Sequence, residues 1–268
     1  MKRDKTKSVF FRACAIAIFC GLSFYAAIVL AGDITGRGIM ERVRDADSSQ
    51  DRSITATMLI ERGNQKLMRK LSITGKKYGE DERSLTRFFE PADVRDTQFL
   101  SWTYEDTSKD DDLWVFFPSE NLVRRISGGG KKGSFMRSDF ANEDIEPRAV
   151  DDDTHKFIER TTLNGRDAYL VESVPIPEKA KDSSYAKRKI WVDQETMVVL
   201  QVEFFDKRDR LLKRLTQGEL KQIDGIWVAT KLIMETPRKN SRTLMQYSQI
   251  RYNTGLADNV FEQSSLKR

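Results

Sequence analysis

The chain has 268 residues, 32% of them charged and 39% hydrophobic, with 46 basic side chains against 41 acidic ones and a single histidine. One histidine excludes a His-rich metal centre, and two cysteines, Cys14 and Cys20, exclude a disulfide framework for everything that follows them. The net charge of +5 falls to +1 when residues 1–31 are set aside, and a near-neutral body argues against a nucleic-acid partner, which requires a basic face along the fold.

Residues 1–31 have the order of a secretory signal segment. Lys2, Arg3, Lys5, Lys7 and Arg12 form a basic start, Ala13 to Leu30 is apolar, and Val29 and Ala31 occupy the small-residue positions of a cleavage site. The alternative is a retained anchor, because 18 apolar residues reach the lower limit for a membrane span. Leu30-Ala31-Gly32 is followed by Asp33 where a lipoprotein cysteine would stand, so the exported body is expected to be unlipidated, periplasmic and a single domain over 32–268.

Ile39, Met40, Val43 and Ala46 recur at helical spacing among charged residues, which predicts an amphipathic helix over 35–47. From Ser53 the period changes to that of strands, expected near 53–61, 66–75, 84–90, 98–104, 112–117 and 121–127. Ser127 to Ile145 breaks the pattern with three consecutive glycines, and reads as a loop and a short helical turn over one rim of the sheet. Asn164-Gly165 and Asp224-Gly225 are two-residue hairpin signals, and strands are expected at 156–163, 167–174, 187–193, 197–205, 210–222, 226–236 and 241–252. A meander of more than about ten strands must curl, split or close, so the fold class is mainly β, a strongly curved half-barrel or barrel.

Residues for chemistry are scarce. No nucleophile elbow, His-Glu-x-x-His, Cys-x-x-Cys or phosphate loop occurs, His155 reads as a surface structural residue, and the triplets Asp110–Asp112 and Asp151–Asp153 read as solvated turns. The chain is therefore expected to be no enzyme and to hold neither metal nor cofactor. Individual strands instead carry apolar residues on both faces. Leu100, Trp102 and Tyr104 share one face of their strand, Trp114 and Phe116 one face of the next, and Val198, Leu200, Val202 and Phe204 one face of a third. A single-layer sheet with two apolar sides must be covered twice or must leave a hollow for a ligand, and these nine residues are the candidates to line it.

The segments FFEPADVRDTQFLSW (88–102), DDDLWVFFPSENLVRRIS (110–127), SFMRSDFANEDI (134–145) and WVDQETMVVLQVEFFDKRDRLLK (191–213), with the stretch 223–266, resemble the outer-membrane lipoprotein-sorting protein family, the LolA-like periplasmic proteins that often accompany RND-type exporters. The resemblance implies an incomplete barrel with helices across its hollow, in which acyl chains of lipoproteins or lipids are carried. It places the helix at 35–47 against the hollow and makes 127–145 a lid, with Phe135, Met136 and Phe140 as its apolar part. Arg124, Arg125, Lys131, Lys132 and Arg137 at the mouth would then meet a phosphate headgroup, a membrane surface or an acidic partner. The competing expectation is an accessory protein that docks on an RND-type inner-membrane transporter and fills its hollow with its own side chains.

Overall fold

The computed structural model describes residues 34–267, so the signal segment and its cleavage site lie outside the described residues. Among those residues no helix is long and apolar enough to cross a membrane.

Helix α1 (Gly36–Ala46) opens the described chain, capped by the Thr35 hydroxyl, which accepts from the Gly38 amide at 3.0 Å. Six antiparallel strands follow: β1 (Asp51–Arg62), β2 (Gln65–Tyr78), β3 (Asp81–Glu90), β4 (Gln98–Thr103), β5 (Asp112–Phe117) and β6 (Leu122–Ile126). After the connection 127–152 come β7 (Asp153–Leu163), β8 (Arg166–Pro175), the short α2 (Pro177–Ala180), β9 (Lys187–Asp193), β10 (Val199–Phe205), β11 (Leu211–Ile223), β12 (Ile226–Thr236) and β13 (Ser241–Tyr252). The helix and every strand expected from the sequence are present. The two hairpin signals hold as well: Asn164-Gly165 and Asp224-Gly225 take the paired positive φ that such a turn demands.

All thirteen strands join one antiparallel sheet in the order β6-β5-β4-β3-β2-β1-β13-β12-β11-β10-β9-β8-β7, which is not closed into a barrel. The free edges are β6 and β7, consecutive in sequence, so the connection between them must pass from one side of the opening to the other.

Strand alternation sorts the side chains to two faces. Ile54, Ala56, Met58 and Ile60 of β1 point inward and meet Ile73 and Leu71 of β2 across the ladder. Phe88, Phe99, Val115, Val171, Ile190, Val202, Phe204, Met234 and Met245 continue the same inner cluster. Helix α1 closes part of it by burying Ile39 and packing on β7 and β8. Gly36 makes that approach possible, since a Cβ there would lie 2.7 Å from the backbone of His155 and Lys156.

The opposite face carries a second, smaller core. Leu100, Trp114 and Phe116 pack with Leu85, Trp102 and Val123 beneath Phe261 and Leu266 of the C-terminal segment. That segment is held by Trp102 Nε1 donating to the Phe261 carbonyl at 2.8 Å and Gln98 Nε2 donating to the Leu266 carbonyl at 3.2 Å.

Candidate functional site

Between the inner face and the connection 127–152 lies an apolar hollow of about 330 Å³. Its walls come from Ile54, Leu71, Ile73, Leu215, Leu232 and Met245, with Ser84 and Thr86 as small polar positions, and Phe135 and Phe140 form its floor. Trp227, which is exposed, and Tyr247 and the buried Tyr252 belong to the lining. Three charged residues also line the hollow: Asp47, Arg52, which pairs with Glu82, and Asp144, which Tyr185 and Lys213 hold.

The connection works as a plug. Phe135 is 1% exposed and its ring meets Phe99 at 4.7 Å and Phe88 at 5.7 Å between centroids. A short antiparallel bridge, Ser134 with Ala141, returns the chain so that Phe140 enters beside it. The turn between them needs Met136 and Arg137 in the left-handed region, with φ of 48° and 62°, and the Met136 carbonyl accepts from the Arg69 guanidinium. Asp139 then locks the turn to the sheet. Its carboxylate accepts from the hydroxyls of Thr236 (2.7 Å), Ser241 (2.5 Å) and Thr243 (2.8 Å), while its own amide donates to Thr243 Oγ1 at 2.9 Å.

A buried charged network fixes the flanks of the plug. Lys131 donates to Glu146 at 2.8 Å, Lys179 sits 3.3 Å from Asp111 and 3.2 Å from Asp152, and Arg148 donates to Asp153 at 2.5 Å. Arg188 reaches Asp153 and Glu143 at 3.4 and 3.6 Å, and Tyr185 and Lys213 both bind Asp144. Burial pushes the Glu146 carboxyl up to about 6, against the pull of Lys131, and its Oε1 has no hydrogen-bond partner. Burial would likewise raise Asp153, but Arg148 and Arg188 hold it below the usual carboxylate range. The expectation of solvated acidic turns is thus corrected: Asp111, Asp152 and Asp153 are drawn inside because lysine and arginine meet them there.

A family model described as that of an uncharacterized protein matches residues 80–268. The fold is that of a DUF1329 family protein from Desulfovibrio piger, 40% identical with a TM-score of 0.83, over 86% of this chain and 97% of that one. The chain belongs to the DUF1329 family. This DUF1329 protein is also 31% identical to a domain named for outer membrane lipoprotein sorting from Vibrio parahaemolyticus, with a TM-score of 0.82 over 87% of this chain and 98% of that one. A LolA superfamily protein from Nitrosomonas europaea shares the fold at 21% identity and a TM-score of 0.69, over 86% of this chain and 99% of that one. None of the curated proteins matches the chain. The resemblance drawn from the sequence therefore holds for family and fold alike.

The DUF1329 chain arranges the nine candidate lining residues differently from the expectation. Val202 and Phe204 join the inner cluster. Leu100, Trp102, Trp114 and Phe116 lie on the outer face, because alternation that turns Phe99 and Val115 inward must turn them outward, where Phe261 and Leu266 cover them. Tyr104 falls just beyond β4 and donates its hydroxyl to Asp112 at 3.0 Å. Val198 precedes β10, and Leu200 is buried at a register shift and belongs to neither cluster. None of the nine lines the hollow.

Of the lid residues, Phe135 and Phe140 line the hollow and Met136 packs against the inner core. The basic residues do not form one mouth. Lys131 is half-buried against Glu146, Arg124 pairs with Glu120, Arg125 with Asp112, Lys132 donates to the Lys181 carbonyl and Arg137 is exposed. The inward face could have been found from β1, where Ile54-Ala56-Met58-Ile60 alternates with less buried residues over its whole length; Ile54 of this set lines the hollow and the other three join the inner core.

His155 is held at both nitrogens, 2.7 Å from Ser173 Oγ and 2.8 Å from the Val150 carbonyl oxygen. Among the described residues no group of three or more His, Cys, Asp or Glu side chains is arranged to hold a metal.

Proposed function

We propose that this protein is a periplasmic carrier that binds acyl chains of a lipoprotein or lipid in the hollow between the inner sheet face and the plug. One observation carries the reading. A half-barrel that could have filled its interior with its own strands keeps an apolar space of about 330 Å³, within the roughly 300–1,000 Å³ of small-molecule sites. Each methylene buried there contributes about 0.8 kcal/mol, so retention needs no polar recognition and no catalysis. The lipoprotein-sorting name of the Vibrio parahaemolyticus relative and the signal-like order of residues 1–31 support the same reading.

The test is direct. Protein purified from the cell envelope is subjected to lipid extraction and native mass spectrometry, and the emptied protein is titrated with a fluorescent fatty acid. Recovery of acyl species and saturable probe binding are expected; absence of both would remove the carrier role.

A second reading rests on Phe135 and Phe140, which already occupy one end of the hollow. An accessory protein that docks on an RND-type inner-membrane transporter would need only a filled, stable body. Co-purification with such a transporter from a crosslinked envelope, with no acyl species bound, would favour it.

A further inference from the structure

The wall of the half-barrel is split. Pairing of β12 with β13 runs from Thr236 opposite Ser241 to Lys231 opposite Gln246 and stops there. Both strands continue, yet away from each other: β12 stays with β11 as far as Ile226 opposite Ile223, and β13 stays with β1 as far as Tyr252 opposite Arg52. Residues 226–230 and 247–252 therefore form two arms of a fork with no ladder between them.

Side chains and backbone both maintain the fork. At its crotch Gln246 Nε2 donates to the Thr230 carbonyl at 3.0 Å and to Glu219 at 3.3 Å, so a side chain takes the place of the next ladder bond. Glu219 and Gln249 adopt φ of 54° and 49° inside β11 and β13, a conformation that strands otherwise exclude. Gln249 falls within the stretch where β13 shifts register against β1.

The fork opens onto the hollow. Ile226, Trp227 and Val228 on one arm and Tyr247 and Tyr252 on the other all line it, and Trp227 is 39% exposed. We infer that the β12–β13 fork is a lateral portal through which an alkyl chain slides sideways into the hollow, leaving its polar end outside beside Trp227. The inference rests on the carrier reading and adds the route. An alkyl chain suits the fork better than a partner strand, because the lining is mostly apolar and Gln246 already satisfies the carbonyl at the crotch. The exposed indole of Trp227 suits the boundary between an apolar chain and water.

The test staples the fork in the full chain carrying Cys14→Ser and Cys20→Ser. Ala229→Cys with Ser248→Cys places two thiols where the register would continue; Glu235→Cys with Arg242→Cys, opposite one another in the paired half, is the control. The probe is stearate bearing a nitroxide, followed by quenching of tryptophan fluorescence. Closing the fork is expected to slow uptake by about tenfold or more, with recovery on reduction, while the control staple leaves uptake unchanged. A second measurement needs no staple. A nitroxide near the carboxyl end must quench more than one near the methyl end, and that excess must vanish in Trp227→Phe. Equal uptake by stapled and open protein, uptake that responds to Asp139→Ala instead, or stronger quenching from the methyl end would overturn the portal and leave the carrier reading standing. Failure of every form to bind the probe would end both.

Discussion

Replacing Asp139 by alanine separates the plug from the wall. Its carboxylate, in a residue only 4% exposed, is the shared acceptor of three hydroxyls, and truncation strands all three away from water. At the low end of about 1 kcal/mol for each unsatisfied hydroxyl, the plug loses about 3 kcal/mol of local stability. The aromatic pair Phe135 and Phe140 remains in place and still contributes about 2 kcal/mol or more for each buried ring, so the plug loosens without leaving. A change of about 3 kcal/mol is about a hundredfold in the open population. Hydrogen exchange reads this at the amides of Phe135 and Asn142, which bond to the Phe140 and Gly133 carbonyls. Their exchange should rise about a hundredfold while the β1–β2 ladder changes little. Probe affinity can rise by no more than that factor, since a ligand gains at most what displacing the plug would cost. Uniform acceleration across the sheet, or plug amides that stay at wild-type rates, would refute the latch.

Glu146 gives a pH signature. Its carboxyl is raised to about 6 from an ordinary value near 4.5, so the folded chain holds the proton more firmly than the unfolded one and this group favours folding as pH falls through 6 toward 4.5. The contribution is about 2 kcal/mol; it should appear as the difference between wild type and Glu146→Gln in urea denaturation at pH 7 and pH 4. Gly36→Ala drives a methyl into the backbone of His155 and should cost about 1–3 kcal/mol by the same assay, whereas Gly38→Ala, close only to the Thr35 hydroxyl, should be milder. Phe261→Asp should uncover Leu100, Trp114 and Phe116, raising binding of a hydrophobic dye and promoting self-association, with the affinity of the hollow for fatty acid unchanged. Trp102→Asp should behave likewise, a loss of stability and not of the site.

Much of the architecture is legible in the sequence because turn chemistry and period-two alternation are local properties. Asn164-Gly165 and Asp224-Gly225 set their hairpins without reference to anything distant. The faces are harder. Leu113 to Phe117 is apolar at every position, and such a run states that both sides of β5 are covered without saying by what. The cover on one side is the 256–266 segment, whose Leu256, Val260, Phe261 and Leu266 follow neither a helical nor a strand period. Asp139 illustrates a different limit: its three partners lie about a hundred residues away, and nothing near it in the chain announces them. The ion pair that draws Asp152 inward likewise depends on Lys179 arriving from 27 residues away, whereas Arg148, which holds Asp153, is only five residues before it.

The strand order carries a consequence for how the wall assembles. Within β1–β6 and within β7–β13 every strand pairs with its sequence neighbour, and among the described residues β1 against β13 is the one ladder that joins distant parts of the chain. Two meanders can therefore zip up early from short loops, and the seam between the chain's two ends closes last because it bears nearly all of the loop-closure entropy. A circular permutant that links β13 to β1 and is cut within 127–152 would convert that seam into one more hairpin. It should fold faster than the natural chain, with the natural order of strands retained.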